Sequence, residues 1–557
     1  MGRTGHHHGS RVLPAAIVLC IVIGAAACSD DDPPDNAVHT EDPVDRPTHG
    51  DLPRLHAVRG ERPGVFDEDG RQVILRAMNL NSLTHYAQNN EDYAPTRPLT
   101  GADWDGIAAE GFNTVRLLVS WSRLEPEQGQ IDDDYVERIR QAVRDAANRN
   151  LYTVIDMHQD AWGPFVATPA GTVCPAGGEP SNGWDGAPEW ATPSPSEVDS
   201  CRGANGEAKP GSDLVVEAWD RFYRDTDGVQ SELVDVWDQL AEALADEPSV
   251  AGYDLLNEPG HGRAETTPTG LLAEFEPLGD FYARAIDGIR HGENAAGIDP
   301  RPIFFEPTVV GNPPPAGFSD DPGLVYAPHI YGGSIADFIS VDAHWSLVTS
   351  QAQGYETSLW SGEFGWWGDP DEHPEWLARV KRFAVREDGG PDESPGATPA
   401  AYVPVGSAWW QWITGCGDPH AITSAGKEPS GEYAQYRMLT CPDGEDRGVI
   451  TGWRPTLTRP YPRFAPGWIT GLSADGDART MDLQATDVAS TPAQVELWVP
   501  GEDEPTVGGT GIAAVGTTRI GLGWVVTAKV CDEEYHVSVG PADGGTEVVV
   551  PGSCDGE

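Results

Sequence analysis

Two glutamates stand out for where they fall. Asp254-Leu-Leu-Asn-Glu-Pro259 places Asn257 and Glu258 where an apolar run ends, and Leu359-Trp-Ser-Gly-Glu-Phe-Gly365 does the same for Glu363. A carboxyl group in such a place is shielded from bulk water, so its environment can tune when it holds its proton. Two carboxyls facing each other across a glycosidic bond, one neutral and one ionised, are what cleavage of that bond requires. A single glutamate beside an apolar run is usually half of a salt bridge. A pair of them, each in an unusual apolar-Glu-Pro or Gly-Glu context, points to chemistry instead.

Other polar residues close apolar runs in the same way. Arg116 lies in Thr114-Val-Arg-Leu-Leu-Val-Ser120, where its guanidinium can hold a neighbouring carboxylate ionised. His158 and Asp160 close Asp156-Met-His-Gln-Asp160, and His329 and Tyr331 close Pro328-His-Ile-Tyr331. Trp410, in Trp409-Trp-Gln-Trp412, offers a flat apolar platform of the kind on which sugar faces stack. Each alone is more often core packing, but together they can line one mouth.

The elements that must carry these residues recur as strand-like apolar runs followed by amphipathic stretches. The runs are 72–79, 114–120, 151–156, 250–256, 302–305, 324–327, 357–361 and 406–412, with helical patterns between them. Eight such units within about 400 residues predict an α/β fold, a (β/α)8 TIM barrel whose strand ends form one functional face. The connection from His158 to about Ser212 is long and rich in Gly, Pro and Trp, as a wall or lid over a site is. After about Arg463 the pattern changes to alternating runs such as Ala493–Trp498 and Leu522–Val530, which predict a small C-terminal β-sandwich. The expected division is a signal peptide over 1–27, an acidic Pro-rich tether over 28–54, the catalytic barrel over 55–463 and the sandwich over 464–557.

Composition narrows the partners. The chain has 557 residues, 39% of them hydrophobic, with 19 Trp, so a packed core is expected. Its formal net charge of −52 disfavours nucleic acid and anionic lipid headgroups. Val12–Ala27 is an apolar run of 16 residues, short for a membrane span and right for a secretory leader. Ala25-Ala-Ala-Cys28 is similar to a bacterial lipobox, which makes Cys28 the lipidation candidate and predicts an exported envelope lipoprotein or secreted protein held at the membrane by that anchor. Six further cysteines fall into local pairs, Cys174 with Cys201, Cys416 with Cys441 and Cys531 with Cys554. Fifteen connectivities are possible, and locality favours this one. None has C-x-x-C spacing, so no zinc site is expected.

With these residues in place the chain resembles glycoside hydrolase family 5. The match runs through Arg116, His158, Asn257-Glu258-Pro259, His329, Tyr331, Glu363 and Trp410. Asp156-Met-His-Gln-Asp160 followed by Ala-Trp-Gly, and Arg459-Pro-Tyr-Pro-Arg463 entering the sandwich, are similar to the endoglycoceramidase branch. The resemblance implies a retaining enzyme with Glu258 as acid/base and Glu363 as nucleophile, Asn257 on the 2-hydroxyl of the reacting sugar, and no metal or cofactor. It implies a glycosphingolipid substrate cut between glycan and ceramide, with Phe364, Trp366, Trp367, Trp162 and Phe165 as candidates for a lipid slot. Some members of the branch carry a Lys just after the first strand. Asn79-Leu-Asn-Ser-Leu-Thr-His-Tyr86 has none, which leans towards the endogalactosylceramidase type. The competing expectations are an endoglucanase or mannanase, a lipid or sterol β-glucosidase, and a glycan-binding protein that has lost activity.

Overall fold

Every side chain of Thr114–Ser120 is buried, because this strand runs between two packed layers. Val115, Leu117 and Val119 face outward into the main apolar cluster with the helices, whereas Arg116 and Leu118 face the barrel interior. That period of two is how an arginine sits in a run of Val and Leu without disturbing it. The helix that follows, Asp133–Ala147, buries Val136, Ile139, Val143 and Ala146 at turn spacing. Its first turn is capped by Asp132, whose carboxylate accepts from the Tyr135 N–H at 3.0 Å.

The structure, a computed structural model, describes residues 52–87, 92–202, 212–263, 272–391, 404–420, 432–542 and 554. The expected leader, Cys28 and nearly all of the acidic tether lie outside the described residues. The parallel strands Leu75–Leu80, Thr114–Ser120, Tyr152–His158, Val250–Asp254, Ile303–Phe305, Leu324–Tyr326, Ser358–Leu359 with Ser361–Phe364, and Gly406–Trp409 pair in chain order. Trp360 interrupts the seventh, so Leu359 pairs with Tyr326 of the sixth and Phe364 with Trp409 of the eighth. Ala408 pairs with Ala77 of the first strand, which completes the (β/α)8 barrel. A hairpin of Leu55–Val58 and Gly64–Asp67 packs Leu55, Ala57 and Val65 against Leu75, Tyr152 and Ala251. It covers the end where the strands begin and leaves the opposite end for a site.

The expected boundaries at 55 and 463 need correction. Leu55–Val58, Gly64–Asp67 and Arg71–Val73 belong to a seven-stranded sheet with Tyr461–Pro466, Ala493–Pro500, Gly523–Val530 and Ile512–Ile520. The run expected over 72–79 is therefore two strands. Val73 pairs with Phe464 of the C-terminal region, and the barrel begins only at Leu75. A four-stranded sheet of Trp468–Asp475, Thr480–Thr486, Tyr535–Pro541 and Pro505–Thr510 faces it across a core including Leu483, Leu497, Val526 and Val537. The sandwich is thus assembled from both ends of the described chain. A small sheet of Glu432–Ala434, Arg437–Thr440 and Glu445–Val449 precedes it. The disulfides Cys174–Cys201, Cys416–Cys441 and Cys531–Cys554 are all present.

Arg459 is the joint between barrel and sandwich. Its guanidinium donates to Asp388 Oδ2 at 2.8 Å and to Glu387 Oε2 at 2.6 Å, at the end of the helix Pro374–Glu387. Arg76 completes the buried set, donating to Asp388 Oδ1 at 3.0 Å and to the Arg459 carbonyl at 2.8 Å. Nearby, Gly111 at φ +92° admits the Trp498 ring, where a Cβ would lie 2.0 Å from Cε2. Burial opposes the charge of Glu387, but Arg459 and Arg76 outweigh it and lower its pKa. The joint's contribution is therefore complete at neutral pH and is lost as pH falls through that lowered value. Arg459→Ala leaves two buried carboxylates without their main partner and should cost about 3–5 kcal/mol. Chemical denaturation at pH 7 measures it, and a variant as stable as the wild type would contradict this role.

Candidate active site

The site is built outward from Arg116, which is fully buried at the centre of the barrel. Its five N–H donors meet Asp254 Oδ2 at 2.9 Å, Asn79 Oδ1 at 3.1 Å, Glu363 Oε1 at 3.0 Å, Asn257 Oδ1 at 3.0 Å and Glu306 Oε1 at 2.9 Å. Asp156 Oδ1 lies 3.0 Å from the same guanidinium. These partners come from the first, third, fourth and seventh strands and from just beyond the fifth, so one side chain sets the register of the mouth. Burial opposes its charge, but Asp156, Asp254, Glu306 and Glu363 carry its pKa well above the ordinary arginine value.

Glu363 sits on this base. Its Oε1 accepts from Arg116, and its Oε2 accepts from the Tyr331 hydroxyl at 2.8 Å. Burial raises its pKa, with His329 and Arg116 pulling down and Glu258 pushing up. His329 bridges the two glutamates, with Nδ1 2.9 Å from Glu258 Oε1 and 3.3 Å from Glu363 Oε2. Its Nε2 lies 3.1 Å from Glu306 Oε1. Burial disfavours the imidazolium, but Glu306, Glu363 and Glu258 raise its pKa well above the ordinary value. One oxygen of each glutamate and one His329 nitrogen all lie within 4.8 Å of one another. That set has the make-up of a metal site, and in this structure its three members are joined to one another through His329. The glutamate side chains are 16% exposed at Glu258 and 6% at Glu363, so the first has the better access to solvent protons.

The loop after the fourth strand holds Glu258 in a conformation it would not choose alone, at φ +38°. Three bonds hold it there. The Glu258 N–H donates to Glu306 Oε2 at 2.9 Å, and the Gln159 amide donates to the carbonyls of Asn257 at 2.6 Å and Glu258 at 2.7 Å. The Asn257 amide returns a bond to the Gln159 carbonyl at 3.0 Å. Further along, His158 Nδ1 lies 2.8 Å from Asp156 Oδ2, and Nε2 lies 3.6 Å from Asp160 Oδ2. Burial lowers the His158 pKa, but Asp156 and Asp160 overcome it and raise the value to about 10. Trp410 stacks on His158 at 5.8 Å with 19° between the rings.

The expected catalytic and substrate-binding residues are all at this end of the barrel, at the ends of the third, fourth, sixth, seventh and eighth strands around Arg116. The model for Cellulase (glycosyl hydrolase family 5) matches residues 66–382, more than half of the chain. The chain belongs to glycosyl hydrolase family 5. Among its family 5 relatives is endoglycoceramidase I of Rhodococcus hoagii (strain 103S), 27% identical over 359 residues, covering 57% of this chain and 64% of that one. An endoglycoceramidase of Cyanea nozakii is 28% identical over 307 residues, covering 50% and 56%. The chain therefore spans less than two thirds of the length of these curated relatives. A crystal structure of an endogalactoceramidase superposes with a TM-score of 0.75 at 37% identity, covering 88% of this chain and all of that one. Endo-glycoceramidase II from Rhodococcus sp., as a lactosyl-enzyme intermediate, shares the fold at TM-score 0.61 and 23% identity, with 86% and 99% covered.

Two features of this family 5 site were not expected. Glu306 contacts Arg116, His329 and the Glu258 backbone, and Phe305-Glu306-Pro307 closes its apolar run with the same Glu-Pro pair as Glu258-Pro259. The expected lipid slot also needs correction. Phe364 stacks on Phe383 at 3.9 Å, Trp162 packs against Trp121, Trp219 and Phe222, and Trp366 donates to the Gly333 carbonyl, so all three are core. Phe165 and Trp367 are only half-buried. Trp410, 2% exposed, lies between His158 and His420 rather than as an open platform.

Proposed function

We propose that this family 5 protein is a retaining endo-acting hydrolase that cuts between glycan and ceramide in glycosphingolipids, galactosylceramide-linked glycans among them. Glu363 attacks the anomeric carbon while Glu258 protonates the leaving ceramide oxygen. Glu258 then deprotonates the water that releases the glycan. The oxygens within 4.8 Å of each other fit the separation of about 5–5.5 Å used for nucleophilic attack, not the roughly 6.5–9.5 Å that leaves room for a water. Proton cycling follows from the same closeness. An ionised Glu363 favours the proton on Glu258, and esterification removes that charge, so Glu258 becomes a base. Arg116, Tyr331 and His329 stabilise the ionised nucleophile, and Asn257 is placed for the 2-hydroxyl.

The observation that carries the substrate is the division of the mouth. His158 and Asp160, at the end of the third strand, and His420, on the loop after the eighth, bring polar groups to one side of the mouth. Of the eight exposed large apolar residues among those described, Val173 lies on the long loop after the third strand and four lie on loops after the fourth, fifth and sixth. These four are Leu272, Val310, Ile335 at 67% exposure and Phe338 at 86%. An amphipathic substrate with its glycan on the first side and its lipid on the second fits that arrangement. The names of the relatives support the lipid substrate, and the full-length likeness to an endogalactoceramidase supports galactose next to it. The disulfides fit export to an oxidising compartment.

The double variant Ile335→Asp, Phe338→Asp should lower kcat/KM on glycolipid in zwitterionic vesicles by about tenfold or more. Turnover of a soluble activated aryl glycoside should stay near the wild-type value. Equal effects on both substrates would contradict the lipid side of the mouth.

A further inference from the structure

The geometry points to His420, on the loop after the eighth strand, as the residue that reads the C4 hydroxyl of the reacting sugar and so distinguishes galactose from glucose. The assignment rests on the two-carboxylate reading above and concerns a side chain that no catalytic step uses. Its ring is held from behind. Asp418 Oδ1 lies 2.8 Å from His420 Nδ1 and accepts from the His420 N–H at 2.7 Å. Asp418 Oδ2 in turn accepts from Asn81 Nδ2 at 2.9 Å and from the Thr414 hydroxyl at 2.5 Å. A carboxylate on Nδ1 fixes the tautomer and aims the other nitrogen forward. That nitrogen, Nε2, lies 3.7 Å from Asp160 Oδ2, and the ring meets those of Trp410 at 5.2 Å and Trp184 at 4.9 Å. The side chain is 18% exposed, open enough for a ligand to reach.

Position supplies the hydroxyl. Asn257 is tied to Gln159, next in the chain to His158. His158 Nε2 lies 3.6 Å from Asp160 Oδ2, and His420 Nε2 lies 3.7 Å beyond. The groups thus follow one another around the mouth in the order Asn257, His158, Asp160, His420. A sugar ring presents its 2-, 3- and 4-hydroxyls in that same order. With Asn257 on the 2-hydroxyl, His158 meets the 3-hydroxyl and the Asp160–His420 pair meets the 4-hydroxyl. That is the only stereocentre at which galactose and glucose differ. Asn81, which occupies the segment after the first strand, acts in this arrangement as a support for Asp418.

The test compares kcat/KM of the full chain on three activated aryl β-glycosides: the galactoside, its 4-deoxy analogue and the glucoside. For the wild type, removal of the 4-hydroxyl should cost about 10- to 100-fold. In His420→Ala that penalty and the galactoside-to-glucoside ratio should both shrink to within about threefold, and His420→Gln, which keeps a polar tip, should restore part of each. A His420→Ala enzyme that keeps the wild-type penalty and ratio, or that loses equally on all three substrates, overturns the assignment. Wild-type-like turnover of the galactoside by Glu363→Gln overturns the two-carboxylate reading instead, and this assignment with it.

Discussion

Glu363→Gln should lower turnover by on the order of 10⁵-fold or more, with the fold intact. The substitution keeps the shape and one oxygen, which can still accept from Arg116, now 3.0 Å from Glu363 Oε1, while the new amide NH2 faces the Tyr331 hydroxyl, now 2.8 Å from Oε2, which can turn to accept. It removes the group placed to form the glycosyl ester. Because burial already raises the pKa of Glu363, a neutral amide there should be tolerated and can even stabilise the protein. The check is a pair of measurements, single-turnover rates and a denaturation midpoint. A rate within tenfold of the wild type would remove Glu363 from the nucleophile's place. A collapse of the midpoint would instead assign it a structural role around Arg116.

Glu258→Gln should cost roughly 10²–10⁴-fold, and the loss should depend on the leaving group. Ceramide leaves as a poor alkoxide, so the first step needs the Glu258 proton. A dinitrophenolate needs none, so with that substrate the first step should proceed and the second, which needs a base, should stall. The variant should therefore give a burst of phenolate followed by slow turnover, whereas on glycolipid it should be almost inert. Its φ of +38° and the bonds from Glu306 and Gln159 do not involve the carboxyl, so the loop should keep its shape. A loss of the same size on both substrates would argue against proton donation by Glu258.

The catalytic pair was legible in the sequence because barrel strands buried on both faces read as apolar runs, and a charged residue closing such a run is conspicuous. Arg116, His158, Asn257, His329 and Tyr331 were visible for the same reason. Glu306 was not. Its strand, Ile303–Phe305, is only three residues long, so the carboxylate looked like the start of a loop. His420 lies ten residues beyond Trp410, on a loop with no periodicity that could fix its direction. Pairing of Val73 with Phe464 joins segments nearly 400 residues apart, which no local pattern encodes. Aromatic residues such as Phe364 and Trp366 follow the seventh strand where a slot was expected. Which way each ring turns depends on neighbours such as Phe383, contributed by another element.

The most direct test of the two-carboxylate, lipid-substrate reading is mass spectrometry of the products formed from mixed glycosphingolipids with detergent. Release of intact oligosaccharide together with free ceramide is the expected result, and the terminal sugar of the released glycan would identify the residue that had been joined to the lipid. Ceramide that still carries a sugar, or no cleavage of any glycolipid alongside hydrolysis of soluble polysaccharide, would contradict it.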